Sequence, residues 1–137
     1  MTELRDAADV QTFLDRFGGF YDAIIVEILL VLPRAAAQRR ATIRLLAHET
    51  AVAGQEPVWR SVLLHLIGLT DFKLIEGQIS NQVLSDGLKI HLLDDRCFID
   101  MAPYSDQLDD EASLWHSGQY LVAATCKFEV ADAQPEK

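Results

Sequence analysis

Leu88-Lys89-Ile90-His91-Leu92-Leu93-Asp94-Asp95-Arg96-Cys97-Phe98-Ile99-Asp100-Met101 is the stretch that decides the fold class. Read as two strands joined by a two-residue turn at Asp94-Asp95, it opposes Ile90 to Ile99, Leu92 to Cys97 and Leu88 to Met101 on one face. On the other face Lys89 meets Asp100 and His91 meets Phe98. A single register therefore gives one wholly apolar face and a second that carries a charge-matched pair. This is the signature of an antiparallel hairpin laid on a core, with Ile99 inward and Phe98 on the opposite face.

The same period of two extends to both sides. Ala41 to Thr50 alternates Ala41, Ile43, Leu45 and Ala47 against Thr42, Arg44, Leu46 and His48. Val58 to Leu66 alternates Val62, Leu64 and Leu66 against Trp59, Ser61, Leu63 and His65, so the two runs predict a hairpin closed by a loop with Gly54 and Pro57. Gly68 is read as a bulge or bend, after which Phe72 and Leu74 resume an apolar face. The closing strand, Gln119 to Val130, places Tyr120, Val122, Ala124, Cys126, Phe128 and Val130 on one side, with Leu121 and Ala123 left over opposite them. Tyr21 to Leu32 is apolar on both parities, as expected of a strand covered on both faces and stopped by Pro33. Before it the period is helical. Asp6 caps a helix whose Val10, Phe13, Leu14 and Phe17 share one face, and Gly18-Gly19 ends it.

At 137 residues the chain fits one domain, expected over residues 1–130, with 131–137 a frayed tail. Half of it is hydrophobic, with 7 Gly and 4 Pro, which excludes disordered and low-complexity classes. The formal net charge is −9, a balance that repels phosphate backbones and anionic lipid, so neither nucleic acid nor membrane is expected as a partner. Ala23 to Leu32, the most apolar run, falls well short of the ~20 residues of a membrane span. MTELRDAADV lacks the basic start of an export signal, and Cys97 and Cys126 are too few for a disulfide framework, so reduced core thiols in a cytoplasm are expected.

Candidate chemistry is sparse. The register of the first hairpin puts His48 opposite Trp59 and His65 opposite Thr42, roughly 20 Å apart at ~3.3 Å per residue, so the two cannot share a metal ion. No histidine has a thiol or carboxylate at a ligand spacing, no serine sits in a Gly-x-Ser-x-Gly turn, and the glycines form no phosphate cradle. No catalytic residue, metal or cofactor is assigned. The acidity belongs to the second half of the chain: residues 1–60 carry 8 acids and 7 bases, residues 61–137 carry 13 and 5. From Asp94 to Glu111 seven acids face the lone base Arg96. Asp106, Asp109, Asp110 and Glu111, with Trp115 as apolar anchor, are therefore the candidate surface for a basic protein partner. The alternative is a small-ligand site or an enzyme using the sheet face around Arg44, His48 and Trp59. The apolar excess of the first strand and of Leu121 and Ala123 predicts a homodimer.

Phe20-Tyr21-Asp22-Ala23, entering a strand, resembles the Phe-His-Asp-Ala start of small bacterial domains, some of them immunity proteins of polymorphic toxin systems. Val62-x-Leu64-x-Leu66-x-Gly68-Leu69-x-Asp71-Phe72 resembles their central strand, and Cys126-x-Phe128-x-Val130 their closing strand. The likeness spans roughly residues 20–130, with Tyr21 where His is usual, a departure that weakens any role carried over to Asp22. It implies a β-rich domain that binds and neutralises a toxin, or a related domain of unknown role, with no catalytic residues to transfer. Together these readings predict an α+β fold: an N-terminal helix on a twisted, mainly antiparallel sheet of five to six strands, serving as a non-enzymatic, acidic binding protein.

Overall fold

The computed structural model of the chain describes residues 1–50, 56, 58–74, 83–103 and 114–132. Its elements are β1 (Thr2–Glu3), α1 (Ala7–Arg16), β2 (Ala23–Val31), β3 (Arg40–Glu49), β4 (Val58–Leu74), β5 (Val83–Leu84), β6 (Lys89–Leu93), β7 (Arg96–Asp100) and β8 (Gln119–Asp132). Among the described residues the strands form one sheet in the order β5-β2-β3-β4-β8-β7-β6, with β1 added beside β8. Every pairing is antiparallel, and the sheet curls into a half-barrel. The α+β class stands, but the count of five to six strands does not: the described residues form eight. The additions β1 and β5 are two residues long, too short to show any period in a sequence.

The helix forms as its caps dictate. The Asp6 side chain accepts from the Asp9 backbone N–H at 2.8 Å. Val10, Phe13 and Phe17 are buried, and Phe13 packs its ring 4.3 Å from Phe128 on β8. Its last carbonyls are satisfied from β3, since Thr50 donates from its N–H to Arg16 at 2.7 Å and from its hydroxyl to Asp15 at 2.8 Å. The main core lies between this helix and the inner face of the sheet, where Ala41, Ile43, Leu45, Ala47, Val62, Leu64 and Leu66 fill the rows the alternation assigns.

β3 and β4 pair in the expected register, with His48 opposite Trp59 and Thr42 opposite His65. β6 and β7 likewise oppose Ile90 to Ile99 and Lys89 to Asp100. Four details of the expected faces are corrected. First, β7 is buried on both sides: Phe98 is as inaccessible as Ile99, because Leu114, Trp115, Val122 and Tyr120 cover the second face with a smaller core. Asp100 forms no ion pair with Lys89 and is fully buried, its Oδ1 accepting from the Ser117 hydroxyl at 2.6 Å and the Ala102 N–H at 3.0 Å.

Second, β8 does not keep one side inward. Leu121 and Ala123 lie in the main core with Cys126, while Val122 belongs to the smaller one. The strand changes parity where Ala124 passes Gly68, so the surplus once assigned to self-association is core. Third, β2 is covered on one face only, since α1 is ten residues long and lies on the inner side, leaving Val26 and Leu29 exposed. Fourth, Phe72 and Leu74 are exposed rather than part of an inner face. Ala131 and Asp132, expected in the tail, pair with Ser61 and Arg60 of β4, and residues 133–137 lie outside the described residues.

Because both sides of β7 are buried, Phe98→Asp and Ile99→Asp are expected to be equally damaging, each placing an uncompensated charge in an apolar cluster. Urea denaturation should find both variants unfolded or nearly so. Near-wild-type stability of Phe98→Asp alone would restore the one-faced hairpin.

Candidate functional site

The outer face of the sheet is where the candidate ligand residues come together. In β3 and β4 the inward parity is spent on the core, so Thr42, Arg44, Leu46 and His48 must point the other way, as must Trp59, Ser61, Leu63 and His65. The rows can be read across the strands: Leu29, Thr42, His65 and Lys127 in one, Glu27, Arg44, Leu63 and Glu129 in the next. At the far end of the sheet His48 and Trp59 face each other with ring centroids 3.8 Å apart. Trp59 keeps 40% of its surface exposed. Arg44 lies two rows away and forms no ion pair among the described residues, whereas His65 Nε2 lies 3.3 Å from Glu129 Oε1.

On the inner face at this end of the sheet, Arg60 bridges Glu49 at 3.6 Å and also contacts Asp132 of β8, and Glu49 in turn holds Arg16 of the helix at 2.8 Å. This chain of alternating charges ties helix, β3, β4 and β8 together on the face opposite the platform. The arrangement presents an aromatic pair on regular strands, with the Arg44 guanidinium two rows away on the same face.

The other candidate surface is placed only in part. Asp106, Asp109, Asp110 and Glu111 lie outside the described residues. Trp115 is half-buried, edge-on to Phe98 at 5.4 Å and to Tyr120 at 5.3 Å, with the Arg96 guanidinium 5.9 Å from its ring centre. Its packing role is thus established by contacts. Asp94 and Asp95 form the expected turn and border a cavity of about 220 Å³ together with Glu3, Arg5, Arg96 and Cys97. That volume is below the ~300–1,000 Å³ usual for ligand sites. Among the described residues no cluster of three or more His, Cys, Asp or Glu could hold a metal ion, and no helix is long and apolar enough to cross a membrane.

The motif that carries the family resemblance forms the corner from helix to sheet. Phe20 is buried, while Tyr21 and Asp22 are exposed; both Phe20 (φ 61°) and Asp22 (φ 64°) adopt the left-handed region. The Asp22 N–H donates to Leu84 at 2.8 Å and the Leu88 N–H to Gly19 at 2.9 Å, hydrogen bonds that hold this strained turn in place.

Two features escape the sequence. The buried Asp100–Ser117 bond joins residues that look like a surface acid and a loop serine. Cys97 and Cys126 are both free and buried, and they meet in the core across β7 and β8 although 29 positions apart. The hydrogen bond between them, followed by burial, holds the Cys126 thiol well above its ordinary value of 9.0.

Comparison with family models, with curated proteins and with solved structures finds no match to this chain.

A raised thiol pKa means that the folded state favours the neutral form. The stability this contributes is fully present below the ordinary thiol value of 9.0 and is lost as the pH rises beyond it toward the raised folded value. Melting curves taken from neutral to strongly alkaline pH should therefore fall less steeply for Cys126→Ala than for the wild type. Parallel curves would contradict the assignment.

Proposed function

We propose that this chain is a non-enzymatic protein-binding domain of the immunity type, which docks against a protein with a basic surface. The observation that carries the reading is Trp59, a large side chain left 40% exposed on regular β-structure and braced by His48. Tryptophan is costly to leave in water and dominates the energetics of protein interfaces, especially where its rotamer is already fixed. The net charge of −9 supplies the long-range attraction for a cationic partner. In this reading Trp59 and His48 are the contact anchor, and the acidic segment containing Asp106, Asp109, Asp110 and Glu111 steers the approach.

The resemblance of residues 20–130 to toxin-neutralising domains supports the choice of partner: a toxin whose basic active site the acidic chain occludes. The two buried free thiols fit a reducing cytoplasm. The competing reading, a small ligand held by Arg44, His48 and Trp59, is favoured by their shared face but not by its shape. Small-molecule sites are concave, and these residues stand on the outer side of a curled sheet.

The test uses a partner identified by pull-down and measures its dissociation constant over a range of salt concentrations. Affinity should fall as salt rises, and Trp59→Ala should weaken binding at least about tenfold, the scale of an interface hot spot. Affinity indifferent both to salt and to Trp59→Ala would overturn the proposal.

A further inference from the structure

The outer face of the sheet holds cations that the fold leaves uncommitted. Among the described residues Arg5, Arg16 and Arg60 each hold a carboxylate, and Arg39 donates to the Pro33 carbonyl at 2.9 Å. Arg40 and Arg44, four residues apart on the outward parity of β3, are exposed and form no ion pair among the described residues. Neither does Lys127 of β8, half-buried opposite His65. On β4 each arginine is opposed by an apolar side chain, Arg40 by Ile67 and Arg44 by Leu63, and Ile67 is 43% exposed. An apolar strip on β4 thus has cations on both sides of it.

The local charge runs against that of the chain. Over the rows from Ile67 to Trp59, strands β2, β3, β4 and β8 carry Arg40, Arg44 and Lys127 outward against two acids, Glu27 and Glu129, whereas the whole chain has 12 bases against 21 acids. Glu129 is taken up by His65 at 3.3 Å, and Glu27, directly opposite Arg44, makes no ion pair with it. So acidic a chain has carboxylates to spare for its arginines. Two left unpaired beside exposed apolar surface mark a place for carboxylates from another molecule.

We propose that this face docks an acidic amphipathic helix of a partner protein, its carboxylates toward Arg40 and Arg44 and its apolar side chains on Ile67 and Leu63. The two arginines lie about 13 Å apart along β3 at ~3.3 Å per residue. Helical side chains two turns apart face the same way and are separated by about 11 Å at ~5.4 Å per turn, within reach of two long, flexible arginines. The backbone selects a helix as well. Both β3 and β4 are already paired on each edge, so a strand laid over them would find no ladder, whereas a helix satisfies its own N–H and C=O groups. The inner face is covered in the same way by α1.

Phosphate is the other anion that arginine recognises. A polynucleotide or an anionic membrane is repelled along its whole length by the net charge of −9, whereas one acidic helix can belong to a protein that is otherwise basic. This docking rests on the binding reading in one respect, the partner's overall positive charge, and Trp59 takes no part in it.

The test is a titration of the isotope-labelled full chain with a synthetic amphipathic helical peptide that carries glutamates two turns apart and leucines between them. The amide resonances of Arg40, Arg44, Ile67 and Lys127 should shift, and the same peptide with lysine for glutamate should not bind. Arg40→Gln together with Arg44→Gln should raise the dissociation constant at least about tenfold, while Arg5→Gln with Arg16→Gln, an equal loss of charge away from the strip, should leave it within about twofold. No shift with the glutamate peptide, equal binding of the lysine peptide, or equal effects of the two arginine pairs would overturn the proposal. A stronger response of the same amides to oligothymidylate or to phosphatidylserine vesicles would overturn it in favour of phosphate. No arm uses the partner or Trp59, so failure here is distinguishable from failure of the binding reading.

Discussion

The architecture depends on the point where the two longest strands change the face they bury. β4 has 17 residues and β8 has 14, and a strand that kept one parity inward over that length would serve a single core. Instead β4 turns Val62, Leu64 and Leu66 inward before Gly68, and Leu69 after it. β8 matches it, with Cys126 on one side of Ala124 and Ala123 and Leu121 on the other. Gly68 has φ +74°, and a Cβ there would lie 3.0 Å from that of Ala124. The carbonyl of Arg39 holds the bend by accepting from both Gly68 and Leu69, at 2.9 and 3.0 Å. Thr70, one residue on, is the extra residue of a bulge between Leu69 and Asp71.

This bend lets one sheet serve two clusters. On one side of it the inner face packs on α1 through Phe13 and Phe128. On the other, β8 can present Leu121 to the main core and Val122 to the smaller one, so that β7 is enclosed between them. The same curvature spreads the outer face, which keeps Trp59 and His48 accessible. The proposed contact surface is thus a consequence of the curl of the half-barrel.

What was legible in the sequence follows from this. Where a strand stays regular, alternation alone fixes the register: the pairs Ile90 with Ile99 and His48 with Trp59 are found where the pattern puts them. The helix was legible because Asp6 and the spacing of Val10, Phe13 and Phe17 agree. The faces of β8 were not, because an extended reading assumes constant parity and nothing in Ala123-Ala124-Thr125 announces a bend. Phe98 and Asp100 were misplaced for a related reason: the residues that cover them, Leu114 and Ser117, come from a distant segment whose position no local pattern encodes. The three residues of the platform were named from the sequence because they share one parity of a regular hairpin.

The central claim is that the fold requires a left-handed, side-chain-free position at Gly68, and a comparison of two alanine substitutions tests it most directly. Gly68→Ala meets both a disfavoured backbone conformation, worth about 1–2 kcal/mol, and the close contact with Ala124. Gly118→Ala meets no atom within 4 Å and serves as the reference. Urea unfolding should show Gly68→Ala losing at least about 2 kcal/mol relative to Gly118→Ala, the sum of that backbone cost and some crowding. Equal stability of the two variants would contradict the account, because the bend would then not depend on glycine at all.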